Sequence, residues 1–172
     1  MRHNAWVLLL LAFAGAGCAS TTIRAQVVDA ETRQPIAGAV VLGVWTKVVG
    51  GGLYHHELVG VRETESDVEG RFELERLPAS GLDGEGDGQA ITVYKFGYLA
   101  WSNIYLFRAN LRENQRVPRE IPLERFPDGE SHRRHLDFID NARHSTMYPL
   151  ESSARFWNAL QAERELMLRE KR

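Results

Sequence analysis

The chain has 172 residues, of which 44% are hydrophobic and 26% charged, and its formal net charge at pH 7 is −2. A charge this close to zero disfavours a nucleic-acid-binding protein, which presents a clustered basic face, and the length suits one ordinary domain plus an appendage. With a single cysteine the chain cannot form an internal disulfide, so its stability must come from a packed core.

The first residues combine a basic residue, an apolar run and small residues. Arg2 precedes thirteen apolar or small residues, Ala5 to Gly17, fewer than the ~20 that span a bilayer. This arrangement is typical of an export signal. The box Gly-Ala-Gly-Cys that ends at Cys18 resembles the bacterial lipoprotein signal, although Gly15 stands where that signal usually has a large aliphatic residue.

The lipoprotein resemblance implies that residues 1–17 are a signal peptide, that Cys18 is acylated, and that residues 18–21 form a tether. At ~0.8 kcal/mol per buried methylene, more than one acyl chain anchors a protein stably in a bilayer. Ala19 and Ser20, and no aspartate, come directly after Cys18, so the resemblance implies an outer-membrane lipoprotein of the cell envelope whose domain faces the periplasm. The alternative is cleavage after Ala16, which leaves an unmodified thiol.

Short β-rich runs separated by turn residues occupy residues 22 to about 125. The first run alternates apolar and polar positions, as a half-buried strand does. The second is apolar on both faces, which predicts a central strand. Seven short strands predict a mainly β fold, an antiparallel seven-stranded β-sandwich. The runs cover residues 22–29, 39–47, 57–65, 71–77, 89–96, 98–107 and 117–124.

Three sequence blocks in this part of the chain resemble a known family. The first runs from Val27 to Val41, the second from Thr64 to Pro78, and the third is the triplet that ends at Tyr98. In this order they resemble a carboxypeptidase regulatory-like domain, which implies a transthyretin-like (prealbumin-like) sandwich over residues 22–125. The matched residues that define the fold motif are Asp29, Pro35, Gly38, Asp67, Gly70, Phe72, Gly97 and Tyr98.

The residue types in these blocks suit structural roles. Gly38 and Gly70 lie at turns that need positive φ or close backbone approach. Asp67 can accept hydrogen bonds from amides in its own turn. Phe72 and Leu74 share one face of a strand and should enter the core together. We therefore interpret the matched residues as determinants of the fold and not of chemistry.

The composition changes after Pro127, where helix formers replace β-branched residues. Residues 131–145 and 152–171 predict two helices broken at Pro149, which form a C-terminal helical extension, 126–172. Phe156, Leu160 and Met167 lie close to one helical stripe. We interpret the helices as packing on, or projecting from, their own domain, with partner binding as the alternative. We also expect the β-sandwich to fold without them.

An acidic insert separates two of the predicted strands. Asp83, Glu85 and Asp87 have the spacing of the first half of a calcium loop. The twelfth position, where that loop needs a bidentate glutamate, is Tyr94. The segment is therefore interpreted as an acidic loop and not as a metal site, and calcium binding stays an alternative.

The sequence lacks the recognisable constellations of catalysis. Metallocarboxypeptidases use His-x-x-Glu, which the chain does not contain, and it has no Gly-x-Ser-x-Gly. His132 and His135 are three apart and could share a helical face, with His144 further along. Because arginines adjoin the pair and no carboxylate set accompanies it, we interpret this stretch as a solvent-facing helix and predict no cofactor.

These observations predict a non-enzymatic envelope lipoprotein, whose domain is a structural or protein-interaction module with the bilayer and an envelope protein as partners, and no nucleic acid. One alternative is a carbohydrate-binding module that uses Trp45, Tyr54, Trp101 and Tyr105 as an aromatic platform, although the two tryptophans lie in apolar strands typical of a core. Another is an accessory subunit of a separate envelope enzyme.

Overall fold

The computed structural model describes residues 22–50, 55–77, 88–108, 111–112, 115–144 and 148–170. Over these residues the protein is mainly β, with two sheets and short helices. The strand orders are β4-β1-β7 and β3-β2-β5-β6. The strands are β1 Thr22–Asp29, β2 Val40–Val49, β3 His55–Glu65, β4 Arg71–Glu75, β5 Gly88–Tyr94, β6 Trp101–Ser102 and β7 Glu120–Leu123. The helices are α1 His132–Ala142, α2 Ala154–Ala159 and α3 Gln161–Arg169, with a 3-10 turn, Leu150–Ser153, before α2.

The local patterns that predicted β1 and β2 are confirmed. β1 has the predicted bounds, and its alternating apolar side chains are buried. β2 was predicted to be central, and it lies between β3 and β5. Seven of its ten residues are fully buried, which agrees with an apolar pattern on both faces.

A hydrophobic core fills the space between the two sheets. Phe72 and Leu74 from β4 enter it side by side, with 4% and 2% of their surfaces exposed, as the sequence predicted. Trp45 and Trp101 also lie in this core. The remaining members of the core are Ile23, Ala25, Val27, Ile36, Ala39, Val41, Ile91, Val93, Ile121 and Leu123.

A second core covers the outer face of the four-stranded sheet. Side chains from β2 and β5 pack there against Leu136 and Ile139 of α1 and against Phe156 and Leu160. The sheet residues in this core are Val40, Leu42, Val44, Ala90 and Tyr94. The helices therefore form a third layer that shares a core with the sheet. Removing the helices would expose this apolar sheet face, so whether the β domain folds without them, as the sequence predicts, is a question for experiment.

One pair of strands departs from the predicted antiparallel arrangement. β7 pairs with β1 in parallel, with Gln26 opposite Glu120 and Asp29 opposite Leu123. Parallel neighbours need a crossover connection. Here the chain leaves the four-stranded sheet after β6 and crosses to the three-stranded sheet. It therefore enters β7 from the same end as β1, which is a feature that local periodicity does not encode.

The apolar run 98–107 was predicted as one strand but pairs only over β6. Polar side chains explain its early end. The Ser102 hydroxyl accepts hydrogen bonds from the amides of Ile104 and Tyr105, which turns the chain. The Asn103 amide still donates to the Ile91 carbonyl, but the Ile91 amide donates to the Asn103 side-chain oxygen at 2.6 Å. A side chain thus takes one of the two bonds of the next strand pair, and it also donates to the Gln89 carbonyl.

The helical extension is also more divided than predicted. α1 begins after Ser131, whose hydroxyl accepts the Arg134 amide. The predicted helix 152–171 is interrupted at Leu160, where α2 ends and α3 begins. This bend keeps Phe156 and Leu160 on the sheet while α3 packs against α1. Within the described part of the chain, no helix is long and apolar enough to cross a membrane.

Candidate functional site

A buried carboxylate joins α3, α1 and the four-stranded sheet. Glu163 of α3 is 2% exposed. Its Oε1 lies 2.7 Å from His135 Nδ1 and 3.0 Å from His132 Nδ1. Its Oε2 accepts the Tyr94 hydroxyl at 2.9 Å. We call Glu163, His132, His135 and Tyr94 the Glu163 cluster, the most concentrated set of titratable side chains among the described residues.

The hydrogen bonds define the protonation state of His135. Its Nε2 accepts the backbone amide of Ala100 at 2.8 Å, so this nitrogen carries no proton. Its Nδ1 must then carry the proton and donate it to Glu163. Both ring nitrogens are therefore engaged, and the ring is fully buried. Through these two hydrogen bonds, His135 links α1 both to the segment before β6 and to α3.

The charge of Glu163 is stabilised by its donors. Burial by itself would raise the pKa of Glu163, but the hydrogen bonds from His135, His132 and Tyr94 outweigh burial and hold that pKa below its ordinary value. Burial, and secondarily the negative charge of Glu163, raise the pKa of the Tyr94 hydroxyl. Tyr94 therefore stays a proton donor throughout the physiological range.

Aromatic rings enclose the two histidines. Phe126 stacks on His132 with a centroid distance of 4.4 Å and an interplanar angle of 4°. Phe107 meets His135 edge-on at 5.5 Å. The prediction that these histidines face solvent is therefore wrong, because both rings point towards Glu163 of α3, while the adjoining arginines are exposed. The predicted shared helical face is confirmed.

The hydrogen bonds of the Glu163 cluster leave His135 no free ring nitrogen. A histidine that works as a base needs one ring nitrogen free to reach a substrate, and both nitrogens of His135 are engaged. No group of three or more histidine, cysteine, aspartate or glutamate side chains within the described ranges could hold a metal ion. The cluster is a buried polar network that connects three elements.

Sequence analysis missed both Glu163 and Tyr94 as members of the cluster, and one signal could have revealed Glu163. Phe156, Leu160, Glu163 and Met167 follow the spacing of a single helical face. A glutamate on an otherwise apolar stripe needs a buried partner. The pair of histidines three residues apart in α1 supplies that partner, but nothing in the sequence aligns the two helices.

Fold-motif residues from the first and third blocks meet around Asp29. Its Oδ1 accepts the amides of Thr32 and Glu31, and its Oδ2 accepts the Tyr98 hydroxyl at 3.1 Å. Arg125 approaches the same oxygen at 2.8 Å. These contacts lower the pKa of Asp29 to about 2. The hydrogen bond from the Thr32 amide is the largest cause, and burial opposes it. The Tyr98 hydroxyl, the Glu31 amide and the charge of Arg125 lower the pKa further.

The glycine and turn predictions of these blocks are confirmed. Gly38 and Gly70 have φ of +66° and +73°, and a Cβ at Gly70 would collide with the Val27 carbonyl oxygen. Asp67 Oδ1 accepts the amides of Glu69 and Arg71.

The two remaining motif residues are also structural. Pro35 bridges to Val28, and Gly97 has φ of +87° in the turn before Tyr98. The predicted motif residues thus organise turns and pairing, as interpreted from the sequence.

An open groove lies beside α1. It has a volume of about 680 Å³ and runs between residues 105–108 and α1. Its walls combine aromatic rings with charged groups, and Arg108 and Arg134 both pair with Glu130 at its edge. Its lining residues are Tyr105, Leu106, Phe107, Arg108, Arg134, Asp137, Phe138, Asp140, Asn141 and His144.

Other predicted sites lie elsewhere or outside the described residues. Cys18 and the loop residues Asp83, Glu85 and Asp87 are outside them. Trp45 and Trp101 are 6% and 7% exposed, so they are core residues and do not form a platform on which sugars could stack. Tyr54 lies outside the described residues, whereas Tyr105 lines the groove.

Comparisons with known proteins give two partial similarities. No family model matches the chain. The chain is 31% identical over 87 residues to a proline–tRNA ligase from Rhodopseudomonas palustris (strain BisA53). That match covers 51% of this chain and only 19% of the ligase. A 9R-lipoxygenase from Cyanothece PCC8801 overlaps 65% of this chain and 18% of its own, at 16% identity and a TM-score of 0.32.

Proposed function

We propose that this chain is a lipoprotein of the cell envelope, anchored in the outer membrane through acylated Cys18, and that its domain is a non-catalytic structural or protein-interaction module. The observation that carries the non-catalytic part is the use of the Glu163 cluster. Its hydrogen bonds join α1, α3 and β5 and occupy both nitrogens of His135. The anchor rests on the export signal and on the box that ends at Cys18.

We further propose that the two sheets form a transthyretin-like, seven-stranded sandwich. The shared core between the sheets supports this arrangement. So does the meeting of the first and third sequence blocks through the hydrogen bond from Tyr98 to Asp29. The second block contributes Phe72 to the same core and a tight turn organised by Asp67. These contacts between the three blocks are the observations that support the proposed sandwich.

The groove beside α1 is the surface that we assign to a protein partner. Its lining offers aromatic rings, aspartates and arginines within one open cleft. Protein interfaces are enriched in aromatic residues and arginine relative to the rest of the surface. Because the Glu163 cluster holds α1 against the sheet, the α1 wall of the groove is fixed in place.

The anchor is tested by replacing Cys18 with serine in the host. We expect the wild-type protein to float with membranes and to yield an acylated N-terminal cysteine by mass spectrometry, and the Cys18→Ser variant to be released. A mature protein that retains an unmodified thiol at residue 18 would refute the anchor.

The non-catalytic module is tested separately, by crosslinking in intact envelopes. Phe138→Asp, in the groove, should reduce crosslinks to a partner, whereas Val68→Asp, on a β-turn, should not. Hydrolysis of peptides, esters or glycans by purified protein, lost on His132→Ala, would make the protein an enzyme instead. Equal crosslinking by both variants would move the partner surface away from the groove.

A further inference from the structure

We infer that the β2–β3 hairpin end, defined by residues 47–49 of β2 and 55–57 of β3, lies against the phospholipid headgroups of the membrane that holds the anchor. The inference rests on the acylation of Cys18 under the proposed function, and it adds an orientation of the domain on the bilayer. Its partner is a lipid surface, recognised by an end-on contact and not by a pocket.

The tether sets how far the domain can move from the bilayer. Acyl chains on Cys18 would keep that residue at the level of the headgroups. Four residue steps separate Cys18 from Thr22, the first residue of β1. A fully extended chain spans at most about 3.3–3.6 Å per residue, so Thr22 lies within ~14 Å of the anchor. The end of the β domain where β1 begins is therefore the end nearest the membrane.

The strand register places the hairpin at that same end. Ile23 lies opposite Leu74 in the β1–β4 pair. The Leu74 side chain reaches Gly43 of β2, since a Cβ built on Gly43 would meet Leu74 Cδ2 at 2.9 Å. The start of β1 is thus level with the middle of β2. From there β2 continues for five residues to Val48, and at ~3.3 Å per residue it projects ~17 Å further.

The projection and the tether have matching lengths. The hairpin end lies ~17 Å beyond the level of Ile23. The tether holds Thr22, the residue before Ile23, at most ~14 Å from Cys18. The hairpin end can therefore reach the level of Cys18. When the strands stand along the membrane normal, the hairpin end therefore arrives at the headgroups together with the anchor. An upright domain cannot keep this end away from the lipid.

The composition of the hairpin end suits a lipid surface. Val48 is 38% exposed although it is an apolar strand residue. Lys47 and Glu57 pair across the hairpin at 3.0 Å and compensate each other's charge. His55 and His56 are exposed and add no fixed negative charge. Anionic headgroups therefore meet an end that is partly apolar and carries no net acidic charge among these residues.

The opposite end of the domain provides a matched control. The turn between β3 and β4 carries Val68, which is 78% exposed. This turn lies near the start of β2, because Glu65, three residues before Val68, pairs with Val40. The hairpin end lies near the other end of β2, where His56 pairs with Val48. Val40 and Val48 are eight residues apart on one strand, or ~26 Å. Val48 and Val68 are thus exposed valines at opposite ends of the same pair of strands.

The single cysteine makes a direct test possible. Once Cys18 is acylated, a thiol introduced by Val48→Cys or Val68→Cys is the only free thiol in the chain. Each lipidated variant is labelled with a fluorophore and placed in phosphatidylethanolamine–phosphatidylglycerol vesicles, with and without nitroxide-labelled headgroups. We expect the probe at position 48 to lose most of its emission to the nitroxide and the probe at position 68 to lose little.

The possible outcomes separate the orientation from the anchor. Equal quenching at both positions would mean that the domain lies flat and would overturn the inference, and stronger quenching at position 68 would overturn it as well. In both cases flotation of the protein with the vesicles would leave the anchor intact. Failure to float, with no acyl group found on Cys18, would overturn the proposed function and this inference together. Circular dichroism of both variants confirms that they fold.

Discussion

Glu163 shows how much one buried side chain contributes to the assembly of the layers. Replacing it with alanine leaves three donors, on His132, His135 and Tyr94, without their acceptor. Each buried donor left without its acceptor costs ~1–3 kcal/mol, so the three together cost about 3 kcal/mol or more. We expect Glu163→Ala to lower the free energy of unfolding by this amount in urea titrations.

Glu165 is the matched control for this prediction. It lies two residues further along α3 and is exposed, and exposed substitutions usually change stability by less than ~0.5 kcal/mol. A loss of ~1 kcal/mol or less for Glu163→Ala would show that water replaces the carboxylate easily and that the Glu163 cluster contributes little to stability.

Asp29 should make the stability of the protein depend on acidity. Its pKa in the folded protein is about 2, whereas an unfolded aspartate titrates near 3.9. As the pH falls, the unfolded chain takes up the proton first. The contribution of Asp29 is therefore fully present above about pH 4 and is lost as the pH falls through about 2.

The substitution Asp29→Asn isolates this effect, because an amide oxygen can still accept the amides of Thr32 and Glu31. We expect the free energy of unfolding of this variant to depend less on pH between about 4 and 2 than that of the wild type. Asp137→Asn, on the exposed side of α1, should retain the wild-type dependence. Identical pH profiles for the wild type and Asp29→Asn would contradict the assignment.

At the scale of elements, the helices behave as a layer of the fold and not as an appendage. A chain that ends at residue 126 lacks α1, α2 and α3 and exposes the outer face of β2 and β5. We expect this fragment to associate and to bind a hydrophobic dye, because a contiguous apolar patch on a soluble protein promotes self-association.

A chain that ends at residue 170 retains all three helices and provides the control. It should remain monomeric by size-exclusion chromatography and bind little dye. If the shorter fragment is instead monomeric, β-rich and cooperatively folded, the β domain is autonomous after all, and the helices only cover it.

For the whole molecule, the two cores share the four-stranded sheet, which predicts a single unfolding transition. Trp45 and Trp101 report on the core between the sheets, and far-UV circular dichroism reports on the helices. Trp157 lies in α2 and would mix the two signals, so the experiment uses Trp157→Phe in a chain without residues 1–17. We expect the fluorescence and dichroism midpoints in urea to coincide. Separate midpoints would show that the helical layer opens by itself.

The sequence by itself determined the features that depend on neighbouring residues. Alternation with a period of two located the strands, since each side chain points to the face opposite its neighbour's. Glycines at positive φ and an aspartate that binds amides of its own turn are equally local, and Gly70 and Asp67 were predicted for these reasons. The apolar pattern on both faces of β2 correctly indicated a strand buried on two sides.

The tertiary structure alone decided how distant segments meet. His135 and Glu163 are 28 residues apart, and Tyr94 and Glu163 are 69 apart. Their contact depends on how α3 docks against α1 and the sheet, which no local pattern specifies. The parallel pairing of β1 with β7 likewise depends on the route of the chain between β6 and β7. The sequence determines which side chains can be charged, but packing between distant segments determines the partner of a buried charge. His132 and His135, which were predicted to face solvent, therefore both contact Glu163, and His135 is buried.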